Sequence, residues 1–385
     1  MRSKFSLVFL ASFLLVSCSS GKKASQEKPA ENQSSVTGVM REFYTDLKKL
    51  EPYLSSQKRF DAKANQVPIQ TALRHMADVS KSSLDQHMLK LPGFRASREV
   101  LQEHLVGTAQ AFEGGNKEYA RWMAKSTYGI CMTCHVQMNW QSSLSTQEKS
   151  ESFDSKFEKA EWLYLTREFK GAYNLFAEVI VSYPKNTNHE QLESALNRNL
   201  AIVARNRQDP EQGVEDFTKI LKNRKLPPPL RKSIEAWIGE FQAWKNQEYC
   251  KNQSDFIEAK CLYDRAQAFA TEDLDRQAVV YLRLSGIIYK RLNEDLPSEQ
   301  TQSLLLWLAT CDRHLKENLL YPLSEMYLKE CIVKDPKTSV AKACYKELED
   351  AIVVSFSGSL GTNIPPDVKA QLKRYKSLIE TSKKK

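Results

Sequence analysis

The chain has 385 residues, with 56 Lys and Arg set against 47 Asp and Glu, a formal charge of +9. That length suits two folded domains. Charges of both signs are interspersed and the only block is Lys383-Lys384-Lys385, so the mild basic balance is not the footprint of a nucleic-acid-binding surface.

At the N-terminus, Arg2 and Lys4 precede an apolar run, Leu7 to Val16, that ends in Leu15-Val16-Ser17-Cys18. The run is too short to span a bilayer. It reads as a bacterial signal peptide over residues 1–17 with a lipoprotein cleavage box, which makes Cys18 the lipid-modified first residue of the mature chain. An ordinary secretory signal followed by an incidental cysteine is the alternative. Removal of Arg2 and Lys4 lowers the charge to about +7. Ser19 resembles the residue that sorts lipoproteins to the outer membrane, so the expected location is the cell envelope of a bacterium, facing the periplasm. Residues 18–35 lack aromatic and large apolar side chains and read as a flexible tether.

Residues 36–145 predict four helices. Val39, Phe43, Leu47, Leu50 and Leu54 form one stripe at helical spacing. Ile69, Leu73, Met76, Val79 and Leu84 form a second, with Pro68 acceptable in its first turn. A third runs through Val100, Leu101, Leu105, Ala109 and Phe112 to a stop at Gly114-Gly115. Tyr119, Trp122, Met123 and Ile130 begin the fourth. Short connections between helices of this length imply an antiparallel four-helix bundle.

The fourth helix carries Cys131-Met132-Thr133-Cys134-His135. Two thiols three positions apart add across the two vinyl groups of a haem, and the adjacent imidazole supplies the proximal iron ligand. A redox CxxC normally follows a strand in a βαβ unit, and nothing here reads as β. A structural zinc site wants a second ligand pair at short range. One covalent haem c is therefore the expected cofactor, with Cys131 and Cys134 as thioether residues and His135 as proximal ligand.

The position of this motif near the end of the last helix of a four-helix bundle resembles the class II c-type cytochromes of the cytochrome c prime type. The resemblance covers about 105 residues and rests on the motif and its place in the fourth helix. It implies that the sixth iron position is either filled by a methionine near the start of the first helix or left open under an apolar side chain. In an up-down-up-down bundle the end of helix four lies beside the start of helix one, which puts Met40 at the haem end as the possible sixth ligand; a core methionine is the plain alternative. His75 and His104 compete for that position from further along their helices. Met138 follows His135 by one turn and cannot reach the opposite haem face. Tyr44, Trp122, Tyr128 and Trp140 are candidates for the porphyrin edge, or ordinary core residues.

From about 150 to 382 the chain shows long helical patterns with few glycines. Ala160, Leu163, Ala172, Phe176, Val179 and Pro184 occupy the small, large and proline offsets of a tetratricopeptide repeat, and similar offsets recur 41 residues later at Ala201, Ala204, Gly213, Phe217 and Ile220. The spacing departs from that family's period of about 34 residues, and Lys225 stands where the proline is expected. Beyond Pro227-Pro228-Pro229, helices are predicted near 230–247, 254–271, 273–294, 299–317, 319–334, 338–356 and 366–381. An α-helical, tetratricopeptide-like solenoid offers a groove to a protein partner, although a purely scaffolding role is the competing reading.

Of eight cysteines, five remain after Cys18, Cys131 and Cys134 are assigned. Cys331 ends one predicted helix and Cys344 lies in the next, beyond the Asp335-Pro336 turn, so the two are a candidate disulfide. Cys250 and Cys261 are a second candidate pair, leaving Cys311 as a thiol. Serines lack a matching His and Asp set, there is no glycine-rich phosphate loop, and His189 and His314 are isolated, so no enzyme activity is expected. The sequence thus predicts an all-α, lipid-anchored periplasmic cytochrome for one-electron transfer. It would be held to the membrane by its lipid anchor and docked to a protein partner by its repeats. The alternatives are a gas-binding haem protein and an envelope assembly adaptor.

Overall fold

Apolar residues at helical spacing dominate the chain, and the described segments follow that period almost throughout. The computed structural model describes residues 36–81, 92–137, 153–250, 254–269, 273–292, 294, 296–315, 323–359 and 361–381; within these, the side chains of 36–37, 92–97, 132–137 and 381 are not described. Among the described residues the fold is all-helical apart from a hairpin of two-residue strands, β1 (Ser357–Gly358) and β2 (Gly361–Thr362). That hairpin lies between two predicted helices, where the sequence showed no β pattern.

Helix α1 (Val36–Leu54) buries Val39, Phe43, Leu47, Leu50 and Leu54. The segment after it, where no helix was expected, holds a short helix α2 (Gln57–Asp61). Ser56 caps it by accepting from the Arg59 amide, and Phe60 is buried edge-on against Phe112. One good cap and one buried ring are enough to order a single turn. A 3₁₀ turn (Lys63–Asn65) leads into α3 (Gln66–Lys81). Helix α4 (Pro92–Glu113) ends at Gly114-Gly115, where Gly115 takes φ +83°, a left-handed terminus that glycine adopts without Cβ strain. Helix α5 (Lys117–Gln137) carries the cysteine motif. Helix α1 packs on α3, α3 on α4, α4 on α5, and α5 returns to α1.

The second half begins with the pairs α6 (Lys156–Leu165) and α7 (Phe169–Ser182), then α8 (His189–Ala201) and α9 (Pro210–Leu221). Helix α8 continues as a π-type turn over Ile202–Arg207, closed by Gln208 in the left-handed region. At the offsets expected for repeats, Ala160, Ala172, Ala201 and Ala204 are wholly buried, and Phe176 and Phe217 are buried as well. Gly213 faces the Phe241 ring so closely that a Cβ would stand 2.8 Å from it. There follow α10 (Pro228–Lys245), α11 (Asp255–Ala268), α12 (Leu274–Arg291), α13 (Ser298–His314), α14 (Ser324–Lys334), α15 (Ser339–Ser355) and α16 (Pro366–Thr381), close to the predicted spans.

Residues Ser34–Lys385 form one compact unit. Two hydrophobic cores run through it, and each takes side chains from the other half. Trp162 and Leu165 of α6 are buried in the core of α1, α3, α4 and α5. Val100 and Ile130 are buried in the core of the second half. Helix α4 also packs on α14, and Arg374 of α16 pairs with Glu99 of α4 at 3.0 Å.

Candidate functional site

Residues 131–135 lie within one uninterrupted helix. Positions three and four apart are neighbours on a helix surface, so 131, 134 and 135 share a face. Cys131 is partly buried and packs against the same core as Met40 and Leu101. The side chains of Cys134 and His135 lie outside the described residues, as do Cys18, Met138 and Trp140 entirely.

Two bonds define how α5 meets α1. Arg121 donates from Nη2 to the carbonyl of Leu54 at 2.7 Å, and Tyr128 donates its hydroxyl to the carbonyl of Leu47 at 3.0 Å. A step of seven residues forward on α5 is matched by seven residues backward on α1, so the helices are antiparallel. Position 135 lies about two turns beyond Tyr128 on α5, and Met40 about two turns before Leu47 on α1. Met40 is partly buried and leans on the shared core.

His75 and His104 both have partners within the fold. His75 lies on α3, half-exposed, with Nδ1 bonded to the Asp46 carboxylate and Nε2 3.6 Å from Glu42. His104 is buried, and its Nε2 lies 2.8 Å from the Met123 carbonyl and 3.1 Å from the Thr127 hydroxyl. Burial lowers its pKa to about 4, against the partly compensating bond to the Met123 carbonyl, so the ring is neutral near pH 7. A neutral ring that donates from Nε2 anchors α4 to α5 one to two turns before the motif. Of the aromatics, Tyr128 is buried, while Tyr44 and Trp122 are exposed and Trp122 stacks on Tyr119.

A group of charges at this helix was not singled out from sequence. Glu158, in the first turn of α6, accepts from Arg121 at 3.1 Å and from Lys125 at 2.6 Å. Arg121 also donates to Gln57. Burial pushes the Lys125 pKa down, and Arg121 adds to that, while Glu158 opposes both. Trp162, one turn after Glu158, sets its ring edge-to-face on Tyr128 at 4.8 Å. The first helix of the second half is thus clasped to the helix of the cysteine motif. The i, i+4 spacing of Arg121 and Lys125 was visible, but their shared partner lies more than thirty residues away.

Disulfides join Cys331 to Cys344 and Cys250 to Cys261, with Cα separations of 6.3 and 5.7 Å. Cys311 is a buried thiol whose pKa burial pushes up. Among the described residues no helix is long and apolar enough to cross a membrane. Comparison with known proteins gave no matching protein family, no matching characterised protein and no matching solved structure.

Proposed function

We propose that this chain is a lipid-anchored, periplasmic c-type cytochrome that carries one covalent haem and passes single electrons. The observation that carries the reading is the motif itself: a CxxCH whose two thiol positions and imidazole position share one face of a continuous helix. Cys131 and Cys134 would hold the porphyrin by thioethers and His135 would ligate the iron from the proximal side. The antiparallel run of α5 against α1, seen in the Arg121–Leu54 and Tyr128–Leu47 bonds, supports Met40, near the start of α1, as the sixth ligand. Bound haem supplies a one-electron couple, tuned by its axial ligands and the polarity around it. Helices α1, α3, α4 and α5 would be the four-helix bundle of a class II cytochrome. The helices from α6 onward would be a tetratricopeptide-like solenoid that docks a protein partner. Cys18 would carry the lipid that holds the protein at the outer membrane.

Denaturing electrophoresis with haem staining tests the attachment. Stain should stay with the full-length chain and vanish in the Cys131→Ala/Cys134→Ala double variant, while stain that persists in the variant refutes the assignment. Absorption spectra with and without carbon monoxide then separate the two haem readings. A low-spin, six-coordinate spectrum supports electron transfer, and a high-spin spectrum with ready carbon monoxide binding supports gas binding instead.

A further inference from the structure

The two disulfides stand in opposite surroundings. Cys331 and Cys344 join α14 to α15, and both residues are wholly buried. Cys250 and Cys261 tie the middle of the α10–α11 connection to α11, and both are partly exposed. Cys250 lines a cleft open to solvent, between the turn that ends at Gln208 and the end of α10. Gln208, Gln247 and Cys250 all line this cleft, and all three hold positive φ, between 52° and 54°. A side chain in that conformation costs roughly 1–2 kcal/mol, so the surrounding structure holds this backbone in place.

Part of that hold does not depend on the disulfide. Tyr249, next to Cys250, is the centre of an alternating stack of rings and guanidinium groups. Arg283 lies 4.4 Å from the Trp244 ring and 5.6 Å from the Tyr249 ring. On its other flank Tyr249 meets Arg265 at 3.6 Å, and Arg265 lies 5.2 Å from the Phe269 ring. Arg265 and Arg276 both bind the buried carboxylate of Glu240, and Arg283 pairs with Glu258 at 2.6 Å. The helices around Cys250 are thereby joined by ion pairs and cation–π contacts that survive if the S–S bond opens. The cleft carries as many cations (Arg207, Lys245, Arg283) as carboxylates (Asp209, Glu211, Glu258), so access rather than charge distinguishes this disulfide from the buried one.

We propose that Cys250–Cys261 is a thiol–disulfide exchange site, open to a dithiol reductant, whereas Cys331–Cys344 is structural. A thiolate of the reductant attacks Sγ of Cys250 from the cleft, and a mixed disulfide forms as the Cys250–Cys261 bond breaks. Cys261 leaves with the electron pair as a thiolate and takes up a proton. The second thiolate of the reductant then attacks its own sulfur in the mixed disulfide and releases Cys250. The protein gains two electrons and two protons, and the dithiol becomes a disulfide. After the bond opens, the stack around Tyr249 keeps α10, α11 and α12 together. This inference is independent of the haem reading.

The test uses the folded, full-length protein. A brief exposure to reduced glutathione, acid quench, alkylation and peptide mapping should find glutathione on Cys250 and an alkylated thiol on Cys261. In a dithiothreitol titration, Cys250–Cys261 should be half-reduced at a concentration at least about ten-fold below that needed for Cys331–Cys344, with helical circular dichroism unchanged at that point. Adduct on Cys261 rather than Cys250, equal opening of the two disulfides, or loss of helicity along with the first reduction would each overturn the proposal.

Discussion

Tyr128 donates its hydroxyl to the main-chain carbonyl of Leu47 at 3.0 Å, and this bond fixes the level at which α5 crosses α1. The phenol is buried, and burial raises its pKa well above the ordinary range, with Glu51 adding to the effect. It is therefore a permanent donor between the helix of the cysteine motif and the helix that begins near Met40. The bond thereby joins the two helices about two turns before position 135 on one and about two turns after Met40 on the other.

The sixth-ligand proposal makes a sharp prediction for Met40. A thioether on the iron keeps it six-coordinate and stabilises the ferrous state. Met40→Ala should convert a low-spin spectrum to high spin, lower the midpoint potential and open the iron to carbon monoxide. If the wild-type protein is already high spin, Met40 is a packing residue and the variant leaves the spectrum as it was.

Glu158 holds two cations that have little access to water. Replacing it with Gln leaves Arg121 and Lys125 without their shared carboxylate. Breaking a buried pair in this way destabilises by about 3–5 kcal/mol. Since Glu158 retains about a fifth of its side-chain exposure, the expected loss is about 2 kcal/mol. Urea unfolding of wild type and Glu158→Gln at pH 7 measures it, and an unchanged midpoint would show that the clasp contributes nothing to stability.

His104 links stability to pH. Its folded pKa, about 4, lies below the ordinary value of 6.5, so below pH 6.5 the unfolded chain takes up a proton that the folded chain refuses. The contribution of the neutral ring is complete above pH 6.5 and is lost progressively as pH falls from 6.5 to 4, by about 3 kcal/mol in all. Asp312 shifts the opposite way, to about 6 by burial, so the difference between wild type and His104→Gln isolates the histidine. Unfolding free energies at pH 7, 5.5 and 4 should show the wild type losing more than the variant. Parallel pH profiles would rule out a buried neutral His104.

Gly286 marks the closest approach of α12 to the π-type turn. A Cβ at this position would stand 2.3 Å from the main-chain carbonyl oxygen of Arg205, and a backbone atom cannot swing aside as a side chain can. Gly286→Ala should destabilise by about 2–3 kcal/mol, read as a lower thermal midpoint. A Gly239→Ala control, where a Cβ meets nothing within 4 Å, should leave the midpoint in place or raise it slightly through helix propensity.

Much of this protein was legible along the chain because the deciding signals are local. Apolar residues recurring every three to four positions placed the helices near their observed spans, and the Gly114-Gly115 pair and the prolines marked several of the ends. The expectation of haem rests on five consecutive residues, Cys131 to His135, because thioether attachment and proximal ligation need nothing more distant. The short helix Gln57–Asp61 escaped that reading because its stability comes from Phe60 meeting Phe112, a contact across the fold. Likewise, nothing near Arg121, Lys125 or Tyr128 in the sequence names Glu158, Leu54, Leu47 or Trp162 as partners. His104, one of three candidates for the sixth iron position, is bonded to Met123 and Thr127, partners that the sequence does not name. Periodicity states which face of a helix is buried; only the packed chain sets which helix it faces, at what level, and with which charge opposite, since those depend on distances between residues tens of positions apart.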